Sequence, residues 1–183
     1  MAATLLSWID EKEPVTFDDV RAQCFIDVDD EAIRKFVETN IIPAARQLAE
    51  TRAGSAIRKG NYRETLKVMP AGDFTLSKGR ATKILKVTCG GLILNLSDFL
   101  LLDIGGDMVV SSVPASAGAG PVYIEFEAGI DIEEFPTVKQ WILLACGWAY
   151  EQRELLLVGQ AIQEMPESYV DSLLQPITTP PRF

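Results

Sequence analysis

The chain has 183 residues, 48% of them hydrophobic and 23% charged, and its mean hydropathy of +0.12 indicates enough apolar material for a folded core. Its net charge of −9 disfavours a protein that grips nucleic-acid phosphates. The absence of histidine removes Ser-His-Asp and Cys-His nucleophile systems and the common zinc sites. The cysteines Cys24, Cys89 and Cys146 form no CxxC pair, so we expect reduced, buried thiols rather than disulfides.

The first part of the chain, residues 15–55, is predicted to be helical. A short helix is expected over 15–27, because Thr16 can cap it and acidic residues follow in the first turn. A long amphipathic helix is expected next, because apolar residues recur every three or four positions from Ile33 to Ala49. Pro43 lies inside that pattern and predicts a kink or a local break.

Residues 56–130 change character and predict an antiparallel β-rich insertion of four to six short strands. Short runs of β-branched and aromatic residues alternate here with turn signals. Gly90-Gly91 and Gly105-Gly106 match no phosphate-binding loop and indicate hairpin turns. The composition of 113–121 indicates a flexible loop.

The last part, residues 131–175, returns to a helical pattern. Pro136 suits the first turn of a helix, and 137–158 is apolar around most of its circumference, which predicts a helix buried by two layers of neighbours. Trp141 and Trp148 lie on one face of it, where they serve either the core or a neighbouring subunit. A short helix over 166–174 and an extended, proline-rich tail over 176–183 follow.

Charged residues allow two readings each. Glu125 and Glu127 form an outward, solvated strand face or, less favoured, an acid–base pair. The basic side chains of 58–86 form ordinary surface charge or a rim that is complementary to acidic surface on the next subunit. These basic residues are Arg58, Lys59, Arg63, Lys67, Lys78, Arg80, Lys83 and Lys86.

Three features near the C-terminus belong together. The strand VYIEFE is followed by an AG pair. The segment PTVKQWILLACGWAYEQRE carries Lys139, Gln140, Trp148, Tyr150, Arg153 and Glu154. A closing segment contains Pro166, Val170, Leu173, Leu174 and Pro176. In this strand, this long helix and this closing segment the sequence resembles the head–tail connectors of tailed phages, most closely the phiE125 gp8-like family, which is related to the HK97 gp6-like connectors.

The resemblance implies a virion structural protein of the neck, a single connector domain over 1–183, assembled in the host cytoplasm. Its partners would be copies of itself in a ring of twelve, the portal protein, and a head–tail stopper or tail protein. Double-stranded DNA would pass through the lumen without sequence-specific binding. We expect no catalytic site, cofactor, metal or membrane contact. Interface residues expected from this reading are Trp141, Trp148, Tyr150, Arg153, Leu173, Leu174, Pro176 and Phe183.

The expected fold class is therefore α+β: a helical core, made of a long N-terminal helix, a long C-terminal helix and a short final helix, with an antiparallel β-rich insertion. The nearest alternative is another neck or tail-completion protein, such as a stopper or tail terminator, and these tend to be dominated by β-barrels, so that helix content measured by circular dichroism would discriminate between the two. A small enzyme or a cytosolic DNA-binding regulator fits less well, because no nucleophile or phosphate motif and no basic recognition helix is visible.

Overall fold

The computed structural model describes five stretches of the chain: residues 3–27, 30–104, 106–112, 120–151 and 167–180. They contain α-helices and two antiparallel sheets, which confirms the predicted combination of helices with an antiparallel β region. Contacts divide the chain into two compact units. The helical unit comprises Lys12–Ala53 and Asp131–Pro176. The β unit comprises Met1–Glu11, Gly54–Ile130 and Ile177–Phe183. None of the described helices is long and apolar enough to cross a bilayer.

The helical unit begins with α1 (Phe17–Cys24), whose start confirms the predicted cap. The Thr16 hydroxyl accepts a hydrogen bond from the Asp19 backbone N–H, and the Asp19 carboxylate accepts one from the Thr16 backbone N–H at 2.8 Å. This capping box satisfies two backbone donors that a helix start otherwise leaves free. The helix is shorter than predicted, because Phe25 turns to the left-handed region at φ 51°.

The predicted long helix is divided into α2 (Glu31–Phe36) and α3 (Ile42–Ala53) by a π-helical turn, Val37–Ile41. The turn ends at Ile41, two residues before Pro43, which has no N–H to donate and whose ring would collide with a carbonyl of the preceding turn. The wider π turn relieves that conflict. The side chains of Thr39 and Asn40 donate hydrogen bonds to the backbone carbonyls of Lys35 and Phe36. The irregularity thus lies just before Pro43, and Pro43 itself is inside α3.

The second half of the helical unit contains α4 (Pro136–Glu151) and α5 (Glu167–Ser172). Pro136 is the first residue of α4, as predicted. The part of the predicted helix 137–158 that follows Glu151 lies outside the described residues. The helix α4 contacts α1, α3 and the π turn, and its inward residues are Val138, Trp141, Ile142, Ala145 and Cys146.

The β unit contains eight described strands, and short 3-10 turns join several of them. The first is β1 (Thr4–Trp8), followed by β2 (Gly60–Leu66), β3 (Phe74–Thr75), β4 (Ala81–Cys89), β5 (Leu92–Ile93), β6 (Phe99–Ile104), β7 (Asp107–Ser112) and β8 (Val122–Ala128). The prediction of four to six strands within 56–130 was too low, because β3 and β5 have two residues each and carry no periodic pattern.

The strand β1 was missed from the sequence. It pairs with β2, but its register shifts between Leu5 and Ser7. The apolar residues Leu5 and Leu6 follow each other in the sequence at this irregularity, so the segment lacks the apolar–polar alternation by which a strand is recognised.

The strand order is β1-β2-β8-β4-β5 in the larger sheet and β3-β7-β6 in the smaller one. The glycine pair Gly90-Gly91, with φ of 55° and 88°, makes the tight turn of the predicted β4–β5 hairpin. Side chains alternate along the central strand β8, so that Ile124 and Phe126 are fully buried. The shared core of the β unit also includes Tyr62, Leu66, Leu76, Val87, Cys89, Phe99, Val110 and Val122.

Candidate subunit interface

Trp141, the first residue predicted to meet a neighbouring subunit, is fully buried inside the helical unit. The guanidinium of Arg52 lies 5.8 Å from the centre of its ring, and Arg52 also donates a hydrogen bond of 2.6 Å to Asp171. The ring of Trp141 therefore packs against α3 and the core of its own unit. Of the two roles that the sequence left open, the structure places it in the core.

The other predicted contact residues of α4 face outward to different degrees. Trp148 is 40% exposed and Tyr150 is half-buried. Near the end of the chain Leu174 is buried, Leu173 is half-buried and Pro176 is exposed. The remaining two predicted contacts, Arg153 and Phe183, lie outside the described residues. The structure thus leaves Trp148 and Pro176 as the most accessible of the predicted contacts that it describes.

The beginning of the predicted extended tail packs into the β unit. Ile177 is 1% exposed, and its backbone carbonyl accepts a hydrogen bond from the Ser55 hydroxyl. A Cβ placed on Gly54 would overlap the Thr179 hydroxyl, and one placed on Gly79 would overlap the Thr179 methyl group. Two glycines therefore make room for Thr179. Deletion from residue 176 onward would remove part of a core, so it cannot serve as a neutral truncation.

Large apolar side chains are exposed along 92–104 of the β unit. We call the set of five the leucine edge: Leu92, Ile93, Leu96, Leu100 and Ile104. Ile93 is 70% exposed and Leu92 is 66% exposed. In β6 the sequence FLLLDI is apolar on both sides, and the strand directs Phe99 into the core while Leu100 and Ile104 face outward. A strand with two apolar faces is typical of one that is covered on both sides.

The size of the leucine edge is functionally significant. Its five side chains expose on the order of 500 Å² of apolar surface, the size at which a patch on a monomer is often a binding site. A protein–protein interface buries about 800 Å² per partner, of which somewhat more than half is apolar. The leucine edge therefore supplies the apolar share of one side of such an interface.

The opposite edge of the same sheet is β1, which also exposes apolar residues. Leu5, Leu6 and Ile9 are each more than a third exposed. Among the described strands β1 pairs only with β2, so its outer backbone edge is open. The Arg58 guanidinium lies 4.5 Å from the centre of the Trp8 ring and donates hydrogen bonds to the backbone carbonyl of Asp10, which holds the end of this strand in place.

Charge is distributed unevenly over the β unit. No lysine or arginine occurs from Val87 to Val138, so the charges along the leucine edge, Asp98 and Asp103, are acidic. Of the basic residues in 58–86, Lys83 and Lys86 lie on β4, the strand that pairs with β5, and Arg63 lies on β2. The sequence alone could have pointed to the leucine edge, because its longest apolar stretch, 92–104, lies inside a long stretch without lysine or arginine.

The carboxylate pair of Glu125 and Glu127 lies on the outward face of the larger sheet, as the favoured interpretation of the sequence predicted. Glu125 lies between Arg63 and Lys86 in the strand register, and the Arg63 guanidinium donates to its carboxylate at 2.7 Å. Glu127 lies opposite Lys83. Each carboxylate thus has a cation as a cross-strand neighbour, which is the ordinary arrangement of a charged sheet surface.

The cysteines are free thiols, with Cys89 and Cys146 buried and Cys24 half-buried, so the prediction of full burial holds for two of the three. Burial and the nearby Cys24 raise the pKa of Cys146 to about 12. Burial, and to a lesser degree the charge of Glu151, raises the pKa of Cys24. Such thiols are poor nucleophiles at neutral pH. Among the described residues no three potential ligands from Cys, Asp and Glu are placed to hold a metal ion.

Comparison with solved structures relates this architecture to phage-like particles. A chain from the neck of an empty gene transfer agent particle, computed with six-fold symmetry, matches with a TM-score of 0.77 and 16% identity, over 100% of this chain and 98% of that one. The chain has the fold of a gene transfer agent neck protein. A chain from the neck of the native particle, computed with twelve-fold symmetry, matches with a TM-score of 0.73 and 19% identity, again over 100% of this chain and 98% of that one. A chain from the virion of the native particle matches with a TM-score of 0.74 and 17% identity.

The likeness to these neck chains is one of fold. No family model matches this chain, and no curated protein matches it. The resemblance to the phiE125 gp8-like connectors therefore stays a prediction at the level of that family. Because the match with the neck chains extends over both the helical and the β unit, it includes the leucine edge, β1 and α4.

Proposed function

We propose that this chain is a structural subunit of a phage-like virion: a head–tail adaptor that forms a ring between the portal and the next neck or tail protein. The observation that carries the proposal is the match in fold to neck chains over the whole length of both proteins, with a TM-score of 0.77.

The surface of the β unit supports assembly into a ring. A cyclic, head-to-tail ring needs two different contact surfaces on each subunit. The leucine edge and the β1 edge are two such surfaces, both apolar, and the strands β5 and β1 are the two ends of the larger sheet. A neck computed with twelve-fold symmetry is among the structural neighbours, and twelve copies is the number that we propose here.

The charge of the chain supports a conduit for double-stranded DNA. With 26 acidic and 17 basic residues, the subunit carries a net charge of −9 and has no surplus of cations with which to neutralise phosphates. A lumen of this composition lets DNA pass without gripping it. The role is non-catalytic, in agreement with the lack of histidine and with the high pKa of the Cys146 thiol.

The experiment that tests the proposal is native mass spectrometry of the chain, alone and with the portal protein of its own particle. The expected result is a complex with the portal that contains many copies of the chain, and density for the chain in the neck of purified particles. A stable monomer that ignores the portal and is absent from particles would overturn the proposal.

The predicted portal contact of the tail has its own test. Because Ile177 belongs to the core of the β unit, the useful truncation removes only residues 181–183, which include Phe183. We expect this variant to fold normally and to lose portal binding. The matched control is a change of Arg182 to lysine, which retains the length, the charge and Phe183. Portal binding by the truncated chain at the level of the full chain would show that the tail is not the anchor.

A further inference from the structure

We propose that the β unit contains a binding site for a guanidinium group on an aliphatic stem, which is the chemistry of an arginine side chain. The site is a cavity of about 520 Å³ whose lining comes from β2, β3, β7 and the segments that flank β3. All of these segments belong to the β unit. The volume lies within the range of roughly 300–1,000 Å³ that is usual for ligand pockets.

A buried carboxylate in the cavity is the first argument. Glu64 lines the cavity and is only 2% exposed. Its Oε2 atom accepts hydrogen bonds from the backbone N–H of Ser77 at 2.7 Å and from the Ser77 hydroxyl at 3.1 Å. Among the described residues none donates a hydrogen bond to Oε1, and no lysine or arginine forms an ion pair with this carboxylate. Because burial of a carboxylate without a cation is unfavourable, a cation bound in the cavity would stabilise it.

The charge of the cavity is the second argument. Asp73, which is exposed, brings a second carboxylate to the lining, and the described lining contains no lysine or arginine. Lys78 follows Ser77 in the chain, but its ammonium group lies 5.9 Å from the centre of the Tyr62 ring, and Lys78 does not line the cavity. The cavity is therefore negatively charged and suits a positively charged ligand.

The walls of the cavity select the kind of cation. They include the apolar residues Leu66, Pro70, Phe74 and Val109. An arginine packs its methylene groups against apolar walls while its charged end reaches a carboxylate. A guanidinium is also more weakly hydrated than an ammonium group and is attracted by aromatic rings such as that of Phe74.

A metal ion fits the cavity less well than a guanidinium. Calcium and magnesium take about six or more oxygen ligands. Among the residues that the structure describes, no three potential ligands from Cys, Asp and Glu are placed together. A guanidinium needs only one carboxylate oxygen and an apolar channel for its stem.

The group has two possible sources, an arginine of a neighbouring protein or a free guanidinium compound. The proposed function, on which this part of the inference rests, favours an arginine of a neighbouring neck protein. The experiment therefore has one arm for the chemistry of the site and a second arm for the source.

The first arm measures binding of N-acetyl-arginine methylamide to the full chain, through the backbone amide signal of Ser77 in nuclear magnetic resonance spectra. The matched ligand is the citrulline analogue, in which an uncharged urea replaces the guanidinium. The matched variants are Glu64→Gln and Glu127→Gln, which make the same change on the two faces of one sheet. Near-ultraviolet circular dichroism checks that each variant is folded.

The Ser77 signal should shift to saturation with the arginine compound and should not respond to the citrulline analogue. Glu64→Gln should weaken binding on the order of tenfold or more, because a hydrogen bond to a charged group is lost, and Glu127→Gln should bind as the wild type does. Equal responses to the two ligands, or unchanged binding by Glu64→Gln, would refute the site. The comparison of ligands uses the unaltered chain, so it decides the matter even where Glu64→Gln disturbs the fold.

The second arm compares how much of each chain enters the neck of purified particles. Glu64→Gln should be incorporated less than the wild type by a similar factor, and Glu127→Gln should be incorporated normally. Normal incorporation of Glu64→Gln, together with binding of the arginine compound, would contradict the assignment to a neighbouring protein and would identify a free guanidinium compound as the ligand. Absence of the wild-type chain from the neck would instead contradict the proposed function, and the result of the first arm would stand by itself.

Discussion

The helical unit and the β unit differ in where they place large apolar side chains. Among the described residues of the helical unit, the exposed ones are Phe25, Phe36, Leu48 and Trp148, which come from four different segments of the chain. In the β unit five of them fall within the 13 residues of 92–104. Single exposed apolar residues are normal on a protein surface, whereas a concentrated set indicates a binding site.

The comparison shows that an apolar element is not by itself an interface. The helix α4 is the most apolar helix of the chain, yet its main face, with Trp141 and Ile142, is satisfied by α1 and α3 of its own unit. The strand β6 is shorter, but one of its two apolar faces, with Leu100 and Ile104, is exposed. Surplus apolar surface is therefore found by asking which faces lack a neighbour, and not by counting apolar residues.

The largest expected effect concerns the two tryptophans of α4. Trp141→Ala should lower the free energy of unfolding by about 4 kcal/mol, because it leaves a cavity in the helical core. Trp148→Ala, seven residues away on the same helix, should cost no more than about 1 kcal/mol. Urea unfolding followed by circular dichroism measures both. Equal losses for the two variants would show that this face of α4 is covered as fully at Trp148 as at Trp141.

A second pair of substitutions compares a buried with an exposed arginine in α3. Arg46 is 7% exposed, and its guanidinium donates to Glu13 at 2.7 Å and to Glu50 at 3.1 Å. Arg46→Ala leaves two carboxylates in a buried site and should cost about 3 kcal/mol. Arg52→Ala removes an exposed ion pair with Asp171 and should cost less than about 1 kcal/mol. Urea unfolding measures the free energy of unfolding of both variants. A loss for Arg46→Ala as small as that for Arg52→Ala would show that water reaches the Arg46 site.

The third prediction concerns the pH dependence of the α1 cap. Partial burial raises the pKa of Asp19, but the hydrogen bonds with Thr16 and the nearby Lys139 outweigh it, so the pKa lies below the ordinary value of 3.8. A carboxyl with a lowered pKa stabilises the fold above its unfolded pKa, and that contribution is lost as the pH falls through the folded pKa. Asp19→Asn should therefore cost about 1 kcal/mol at pH 7 and progressively less below about pH 4.

The matched control for Asp19→Asn is Asp18→Asn. Both residues lie in the first turn of α1, but only Asp19 closes the capping box. Unfolding free energies at pH 7 and at pH 3 give the comparison for each variant. A cost of Asp19→Asn that is the same at both pH values would contradict the role of its charged form.

The sequence predicted the helical unit better than the β unit, for physical reasons. Helix ends depend on local chemistry, and the cap at Thr16, the irregularity just before Pro43 and the start at Pro136 are all found at or next to the positions that local signals indicated. Strands depend on partners that are distant in the chain. The bulge beside Leu5 hid β1, and the exposure of Leu92 depends on how β5 ends the sheet, which no local pattern contains.

The predicted interface residues show the same limit. Helical spacing placed Trp141 and Trp148 on one face of a helix, but how far along the helix that face is covered depended on α1 and α3. Leu174 was chosen as a contact residue through the family resemblance, and it is buried. The leucine edge, in contrast, lies in the longest apolar stretch of the sequence, and no local pattern shows which of its side chains are exposed.

The smallest expected effect on stability concerns an exposed apolar side chain of the β4–β5 hairpin, compared with a buried one of the same hairpin. Ile93→Ser, on the leucine edge, should change the free energy of unfolding of the monomer by no more than about 0.5 kcal/mol, since the side chain is 70% exposed. Val87→Ser, in the adjoining strand β4, replaces a fully buried side chain and should cost several times more. Thermal unfolding at low protein concentration, where association is negligible, compares the two. If Ile93→Ser destabilised the monomer as much as Val87→Ser, the leucine edge would be part of the fold of a single subunit rather than a surface kept for another chain.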